Sequence, residues 1–373
     1  MSEMTRREAM KLIGAAGLIG PVLPWTTNTA MGTVPRPVKF GVFADPHYSS
    51  FKYDDPTNYA VSYAKGLIAF VERMNEFQPD FVINLGDFVT PRERRYGNTP
   101  EQYAGFKEDL GIFWPILRAA PCPAYGVVGN HDVGWIRGGD EKVSTAELIA
   151  KGQTGGHALS KDEWCQILSM PGRYYAFDAG DFRCLVLDGN NAQDTDADNA
   201  RDGLRGAYWI DQPQLEWIKR ELVAHQDKFK LVFCHEELHH TDQLRGSGQG
   251  GWVPLPPHYK DGSYVGNGWQ VRELFEKDRK VAAVFHGHYH KNRWTVYGSI
   301  HYITMENYPD QGENWAEVTV SSNRLQMVGH DKQVGFDLAM LPVDPTSIAP
   351  PQDIYAEAVR QRKEYHDKKR SGG

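Results

Sequence analysis

The sequence predicts an α/β protein whose working groups gather just beyond the ends of its strands. Two observations carry this. Short apolar runs alternate with segments of helical spacing through the first half of the chain, the rhythm of strand–helix crossovers. In addition, five motifs built of Asp, Asn and His punctuate the chain: Asp45-Pro46-His47, Gly86-Asp87, Gly129-Asn130-His131-Asp132, Cys234-His235 and Gly287-His288-Tyr289-His290. Four of the five directly follow an apolar run. Open α/β sheets collect function beyond the carboxyl ends of their strands.

The elements justify themselves in order. Val38 to Ala44 is an apolar strand that delivers Asp45, and Thr57 to Phe77 repeats Val61, Leu67, Ile68, Val71 and Met74 at helical spacing. Phe81 to Leu85 is the next strand, a helix covers about Pro100 to Arg118, and Ala124 to Val128 is a third strand. After Pro171 the pattern changes to paired strands, Tyr174 to Asp178 and Phe182 to Asp188, around an Ala-Gly-Asp turn. A helix from Gln212 to His225 precedes a strand from Lys230 to Cys234. A Gly/Pro-rich insertion, about 238–268, then leads to a helix from Gln270 to Lys277 and a strand from Val281 to Phe285. Three more strand-like segments follow near Arg293–Val296, His301–Met305 and Trp315–Val320, and a charged helix is expected from Pro350 to Lys369. The domain reading is 1–33 leader, 36–345 catalytic unit and 346–373 helical tail.

The leader stands apart. Thr5-Arg6-Arg7-Glu8-Ala9-Met10-Lys11 has a twin-arginine pattern, followed by a Gly/Ala-rich apolar stretch from Leu12 to about Trp25. That stretch falls short of the roughly 20 apolar residues that span a bilayer. It reads as a twin-arginine export signal, with a frayed helix and a chance Arg pair as the bland alternative. The expectation is a periplasmic or otherwise exported protein that meets the twin-arginine translocation machinery and keeps no membrane span after processing. Export of folded protein also suits a cofactor loaded beforehand.

Composition narrows the partners. A formal net charge of −7 argues against nucleic-acid polymers as the main ligand. Cys122, Cys165, Cys184 and Cys234 share no CxxC spacing, so a Cys-based zinc site is not expected. Cys184 and Cys234 lie in strand-like runs as buried thiols, and a Cys122–Cys165 bridge is the less favoured reading.

Read as chemistry, the motifs offer hard oxygen and imidazole donors, which a two-metal hydrolytic site requires. Asp-x-His and Gly-Asp are each weak alone. Gly129-Asn130-His131-Asp132 is stronger, because glycine permits an unusual turn, the Asn oxygen ligates without charge, and His beside Asp is an acid–base pair. Two imidazoles at i and i+2 beyond a buried strand seldom serve packing.

Together these motifs resemble the calcineurin-like metallophosphoesterase superfamily over most of residues 36–320. The resemblance implies an α/β/β/α sandwich of two mixed β-sheets flanked by helices, with a binuclear metal site at the strand ends. It implies that one ion takes Asp45, His47 and His290, that the second takes Asn130, His235 and His288, and that Asp87 bridges them. His131 would face the leaving-group oxygen, with Asp132 orienting it. His235 competes with the nearby His239 and His240 and is preferred for its place on a strand end. Mixed Asp/Asn/His ligation suits two divalent or trivalent ions of Mn, Fe or Zn.

Departures narrow the branch. Phe88-Val89-Thr90-Pro91-Arg92 lacks the Asp-Arg-Gly of protein phosphatases, and Thr90 stands where purple acid phosphatases carry a Tyr ligand. Phe40 to Asp87, and Arg173-Tyr174-Tyr175 to Asp188, are loosely similar to the ADP-ribose/CDP-alcohol diphosphatase branch, which commonly has Gln at the position of His47. Asn190, Asn191, Arg201 and Arg205 are candidate contacts to a small phosphorylated substrate, against the alternative of a solvated loop. Trp252, His258 and Tyr259 offer a lid or mere surface decoration. The functional expectation is an exported metal-dependent phosphoesterase acting on phosphate esters or nucleotide-type phosphoanhydrides through metal-activated water. The alternative is a catalytically silent scaffold of the same fold.

Overall fold

The computed structural model describes residues 36–48, 56–89, 100–133, 160–192, 208–238, 244–247, 251–254, 265, 267–297, 299–308, 314–330, 333 and 335–339. The leader, the tail from 346, and Arg201, Arg205, His258 and Tyr259 lie outside them.

In chain order the elements are β1 (Val38–Phe43), α1 (Pro56–Phe77), β2 (Phe81–Asn84), α2 (Pro100–Leu117), β3 (Ala124–Gly126), α3 (Lys161–Leu168), β4 (Tyr175–Ala179) and β5 (Phe182–Leu187). They continue with β6 (Asn191–Ala192), β7 (Tyr208–Trp209), α4 (Gln212–Ala224), β8 (Phe229–Cys234), β9 (Leu244–Ser247), β10 (Gly251–Pro254) and α5 (Gly268–Asp278). The last are β11 (Val281–His286), β12 (Arg293–Tyr297), β13 (Ile300–Thr304), β14 (Ala316–Val320), β15 (Arg324–Gly329) and β16 (Phe336–Ala339). Helix starts follow local chemistry. Ser160 and Glu163 form a reciprocal capping box on α3, and Asp211 accepts from the Gln214 amide at the head of α4.

Two six-stranded mixed sheets result. One runs β16-β15-β14-β1-β2-β3, with β1, β2 and β3 parallel. The other runs β12-β13-β11-β8-β5-β4, parallel through β13, β11, β8 and β5 with antiparallel edges. Their inner faces form one core that includes Phe40, Ile83, Phe177, Phe233, Phe285 and Val318. At its centre Phe40 stacks on Phe81 at 4.8 Å and meets Phe233 and Phe285 edge-on at 5.7 and 5.4 Å. Such ring pairs add about 0.5–1.5 kcal/mol each beyond burial. Helices α1, α2 and α3 cover the first sheet through Phe70, Met74, Phe113 and Trp164, and α4 and α5 cover the second through Ile218, Leu222 and Phe275. This is the expected α/β/β/α sandwich.

Register then sets the site. Phe43 pairs with Asn84 and Asn84 with Gly126, so β1, β2 and β3 end level. In the second sheet Leu187 pairs with Cys234 and Phe233 with Phe285. The five motifs leave these strand ends side by side. Two differences from the sequence reading stand out. β3 stops at Gly126, before Val127 and Val128, and β15 and β16 extend the first sheet past the last strand expected.

Candidate metal centre

The donors sit on unusual backbone. Among the described residues nine non-glycine positions have positive φ, and five of them are Asp45, His47, Asp87, His288 and His290. The other four end helices or turn between strands: Gln78, Ser169, Arg279 and Ser299. Left-handed backbone costs a residue with a side chain about 1–3 kcal/mol and gathers at functional sites. The loops hold one another in this form. Asp45 N–H donates to Gly86 O at 3.1 Å, His47 N–H to Asp87 O at 2.9 Å, and Gly287 N–H to His235 O at 3.0 Å. Gly86 has φ 108°, and a Cβ on Gly129 would overlap the Asp87 amide, so both positions require glycine.

On this frame seven side chains converge. Asp45 accepts from His288 N–H with both oxygens, at 3.0 and 2.8 Å, and lies 3.3 Å from His290 Nε2. His290 Nε2 is 2.9 Å from His47 Nε2. On the other side Asn130 Oδ1 lies 3.1 Å from His235 Nε2 and 2.8 Å from His288 Nδ1. His235 Nδ1–H donates to Leu85 O at 2.7 Å, which leaves Nε2 facing inward. Asp87 touches both sets, with Oδ2 3.2 Å from His235 Nε2 and 3.6 Å from His47 Nε2. His131 shares a cluster with Asp87 and His47, its ring edge-on to His47 at 4.8 Å. His239 and His240 lie outside the described residues.

The electrostatics match an ion site. Burial pushes the Asp87 carboxyl up, but the imidazoles of His235, His131 and His47 outweigh it and hold it well below the usual carboxylate range. Asp45 is likewise held low, burial being overcome by His235 and His290. Burial drives His47 down to about 4, whereas Asp87 and Asp45 lift His235 well above its ordinary value against the same burial. Two carboxylates thus stay ionised in a buried site. Among the described residues no Lys or Arg pairs with either. Three groups of donors, Asp45/His47/His290, His47/Asp87/His131 and Asp87/His235/His288, each fall within 4.8 Å. A donor set of this kind fits a pair of cations.

The sequence profile of the family described as calcineurin-like phosphoesterase matches residues 38–292, from β1 to just past the last donor motif. The chain belongs to that family. It is accordingly a metal-dependent phosphoric ester hydrolase. Among solved structures, a dimetal phosphatase from Danio rerio is similar over 82% of this chain and 100% of its own, at 16% identity and a TM-score of 0.57. A purple acid phosphatase from yellow lupin (Lupinus luteus) seeds is similar over 84% of this chain and 55% of its own, at 15% identity and a TM-score of 0.46. No curated protein matches the chain.

At two predicted positions the structure shows the side chains engaged within the protein. The Asp132 carboxylate is held by backbone amides. It is buried and accepts from the amides of Asp87, Phe88 and Gly129 at 2.7–2.9 Å, so it ties two donor turns together. Burial and the nearby Asp87 carboxylate push its pKa well up, against those amide bonds. The Asn191 side chain is engaged as well. Its Oδ1 accepts from Lys161 and Arg173, and its Nδ2 donates to the carbonyls of Asp188 and Trp209. Asn190 stays near the centre, its Nδ2 3.4 Å from Gly129 O. Arg201 and Arg205 lie outside the described residues. Cys122 and Cys165 are free thiols. Trp252 falls in β10, and nothing further is described of the lid reading.

Sequence reasoning missed the groups that support these loops. Asp188, wholly buried, receives Lys161 at 2.6 Å and Arg173 at 2.7 Å, and Arg173 also binds Asp211. Glu236, next to His235, is buried with neither carboxyl oxygen hydrogen-bonded among the described residues, and burial lifts its pKa to about 8. Charged residues at strand ends were the available signal. Their partners lie too far away in the chain to be read from it.

Proposed function

We propose that this phosphoesterase holds one ion with Asp45, His47 and His290 and a second with Asn130, His235 and His288, Asp87 lying between them. The observation that carries the assignment is Asp87 Oδ2, which lies within 3.6 Å of an imidazole from each set. Ions bound there would supply the charge that activates water and neutralises phosphoryl oxygens. His131, beside Asp87 and His47, faces the open side as proton donor to the leaving-group oxygen. Asn190 is the remaining substrate contact on the described surface. A complete donor set favours an enzyme over a silent scaffold, since a scaffold has no use for buried, mutually repelling carboxylates.

The substrate class we propose is a small phosphate ester or nucleotide-type phosphoanhydride, with Mn, Fe or Zn as the ions. Phosphomonoesters, phosphodiesters and nucleotide diphosphates, each assayed with Mn, Zn and Mg added separately, test this. Turnover of none of them with any ion would sink it. We propose further that residues 1–33 form a twin-arginine signal and that the mature protein is periplasmic. No helix among the described residues is long and apolar enough to cross a membrane. Fractionation of cells expressing the chain with Arg6→Lys and Arg7→Lys tests the signal: precursor retained in the cytoplasm supports it, and unchanged export refutes it.

A further inference from the structure

The turn that carries His288 and His290 needs restraint. Both donors have left-handed backbone, at φ 65° and 54°, and the bond that closes the turn runs from Tyr289 N–H to Gly287 O at 2.7 Å. Asp45 secures one end through the His288 amide. The other restraint comes from outside the donor set. The guanidinium of Arg293, at the start of β12, lies over the Tyr289 ring, 3.1 Å from its carbon to the ring centroid. Tyr289 is the residue between the two donors.

Arg293 is itself held in place. Its Nη1 faces both oxygens of Glu237 at 3.2 and 3.4 Å, and Thr304 Oγ1, at the end of β13, donates to Glu237 Oε1 at 2.7 Å. The Arg293 and Glu237 side chains are only 15% and 3% exposed, so solvent screens this pair weakly. Glu237 stands two residues past His235. A continuous path, Thr304 to Glu237 to Arg293 to Tyr289, therefore joins the loop after β8 to the turn after β11. Both loops carry imidazoles of the donor set. The ring face offers a cation a specific seat, which a surface ion pair lacks.

We infer that Glu237, Arg293 and Tyr289 are positioning residues of the metal centre, fixing His288 and His290 relative to His235 and thereby setting ion affinity. This rests on reading the donor set as a metal centre, and not on which phosphorylated compound is hydrolysed. The alternative is that the three residues only hold β12 and β13 in place.

The test measures zinc affinity by chelator competition and bound zinc per chain by elemental analysis, on the full chain, beside the melting temperature of the metal-stripped protein. Arg293→Met and Tyr289→Leu are expected to weaken zinc about 10- to 100-fold, the loss typical of groups that orient metal ligands. Tyr289→Phe keeps the ring and should hold affinity close to wild type, and Arg293→Lys should recover much of what Met loses. Unchanged affinity in the Met and Leu variants overturns the inference. So does an equal loss in Tyr289→Phe and Tyr289→Leu, or a lower melting temperature of the stripped protein with no change in affinity. If Arg293→Met does not fold, the Phe and Leu pair decides. A wild type that binds no zinc would refute the centre itself, whereas zinc binding without turnover of any phosphate ester would refute only the substrate reading.

Discussion

His131 and Asp132 are adjacent in the chain, yet their side chains meet different partners, and the two positions should therefore fail differently. His131 presents its ring toward His47 and Asp87 on the accessible side. Replacing it by a polar side chain that cannot act as an acid, as His131→Asn, should cost turnover about 10²–10⁴-fold with bound metal unchanged. Elemental analysis beside steady-state kinetics decides this, and wild-type turnover in the variant would remove His131 from the reaction. Asp132 accepts three buried amides, so Asp132→Ala strands donors at roughly 1–3 kcal/mol each and frees the turn that carries Asp87. That variant should lose stability and metal together. His301 gives a prediction in pH. Its Nε2–H donates to Ala339 O at 3.0 Å and its Nδ1 accepts from Trp294 Nε1–H at 3.2 Å, so the ring is neutral as bonded. Burial lowers its pKa, against the Ala339 bond. An unfolded His titrates near 6.5, so below that the unfolded chain binds a proton the folded ring resists. The stability tied to neutral His301 is complete above about pH 6.5 and declines as pH falls toward the lowered folded value. Melting temperatures from pH 8 to pH 5 should fall more steeply for wild type than for His301→Gln, and parallel curves would refute the account.

Elements are joined by a few charges whose removal should be felt at a distance. Lys230, fully buried on β8, contacts both oxygens of Asp278 at the end of α5, at 2.8 and 2.7 Å. Asp278→Asn leaves that ammonium buried without its counter-charge and should cost about 3–5 kcal/mol, while Lys230→Met with Asp278→Leu should cost much less. Denaturant midpoints of the two variants make the comparison, and equal losses would refute a charge-based origin. Lys230 was legible only as part of an apolar strand, because its partner is forty-eight residues away and the contact depends on where α5 packs. The same limit explains Asp132. The chain shows it beside His131, whereas its acceptors are used by amides that the β2 turn brings to it. Strands β1, β2, β8 and β11 were legible because they are buried on both faces and read as mainly apolar runs, broken only near the start by Lys39 in β1 and Lys230 in β8, that lead into donors. β15 and β16 were not. In β15 only Leu325 and Met327 point inward between exposed Arg324, Gln326 and Val328, and β16 buries Leu338 alone. Two or three inward positions on an outer strand make too short an alternation to stand out.

At the scale of the whole molecule the donor set lies across the sandwich. Asp45, Asp87 and Asn130 follow strands of the first sheet, and His235, His288 and His290 follow strands of the second. The aromatic core around Phe40 holds the two sheets together in the middle, but at this end the donor groups crowd one another. Two buried carboxylates stand close, and five donor positions keep left-handed backbone. Bound cations would cross-link the sheets, and because imidazole ligates in its neutral form, binding should weaken as pH falls. Ligand present at 1,000 times its Kd stabilises a fold by about 4 kcal/mol, which for a domain of roughly 300 residues corresponds to about 6 °C in melting temperature. Chelation of the metal-loaded protein should therefore lower its melting temperature by about 6 °C, with recovery when Zn or Mn is returned. Hydrogen exchange should rise chiefly in the turns after β1, β2, β3, β8 and β11, while amides around Phe40 and Phe233 stay protected. A melting temperature unmoved by chelation, in protein shown to have lost its ions, would mean that the centre serves chemistry without holding the sheets together.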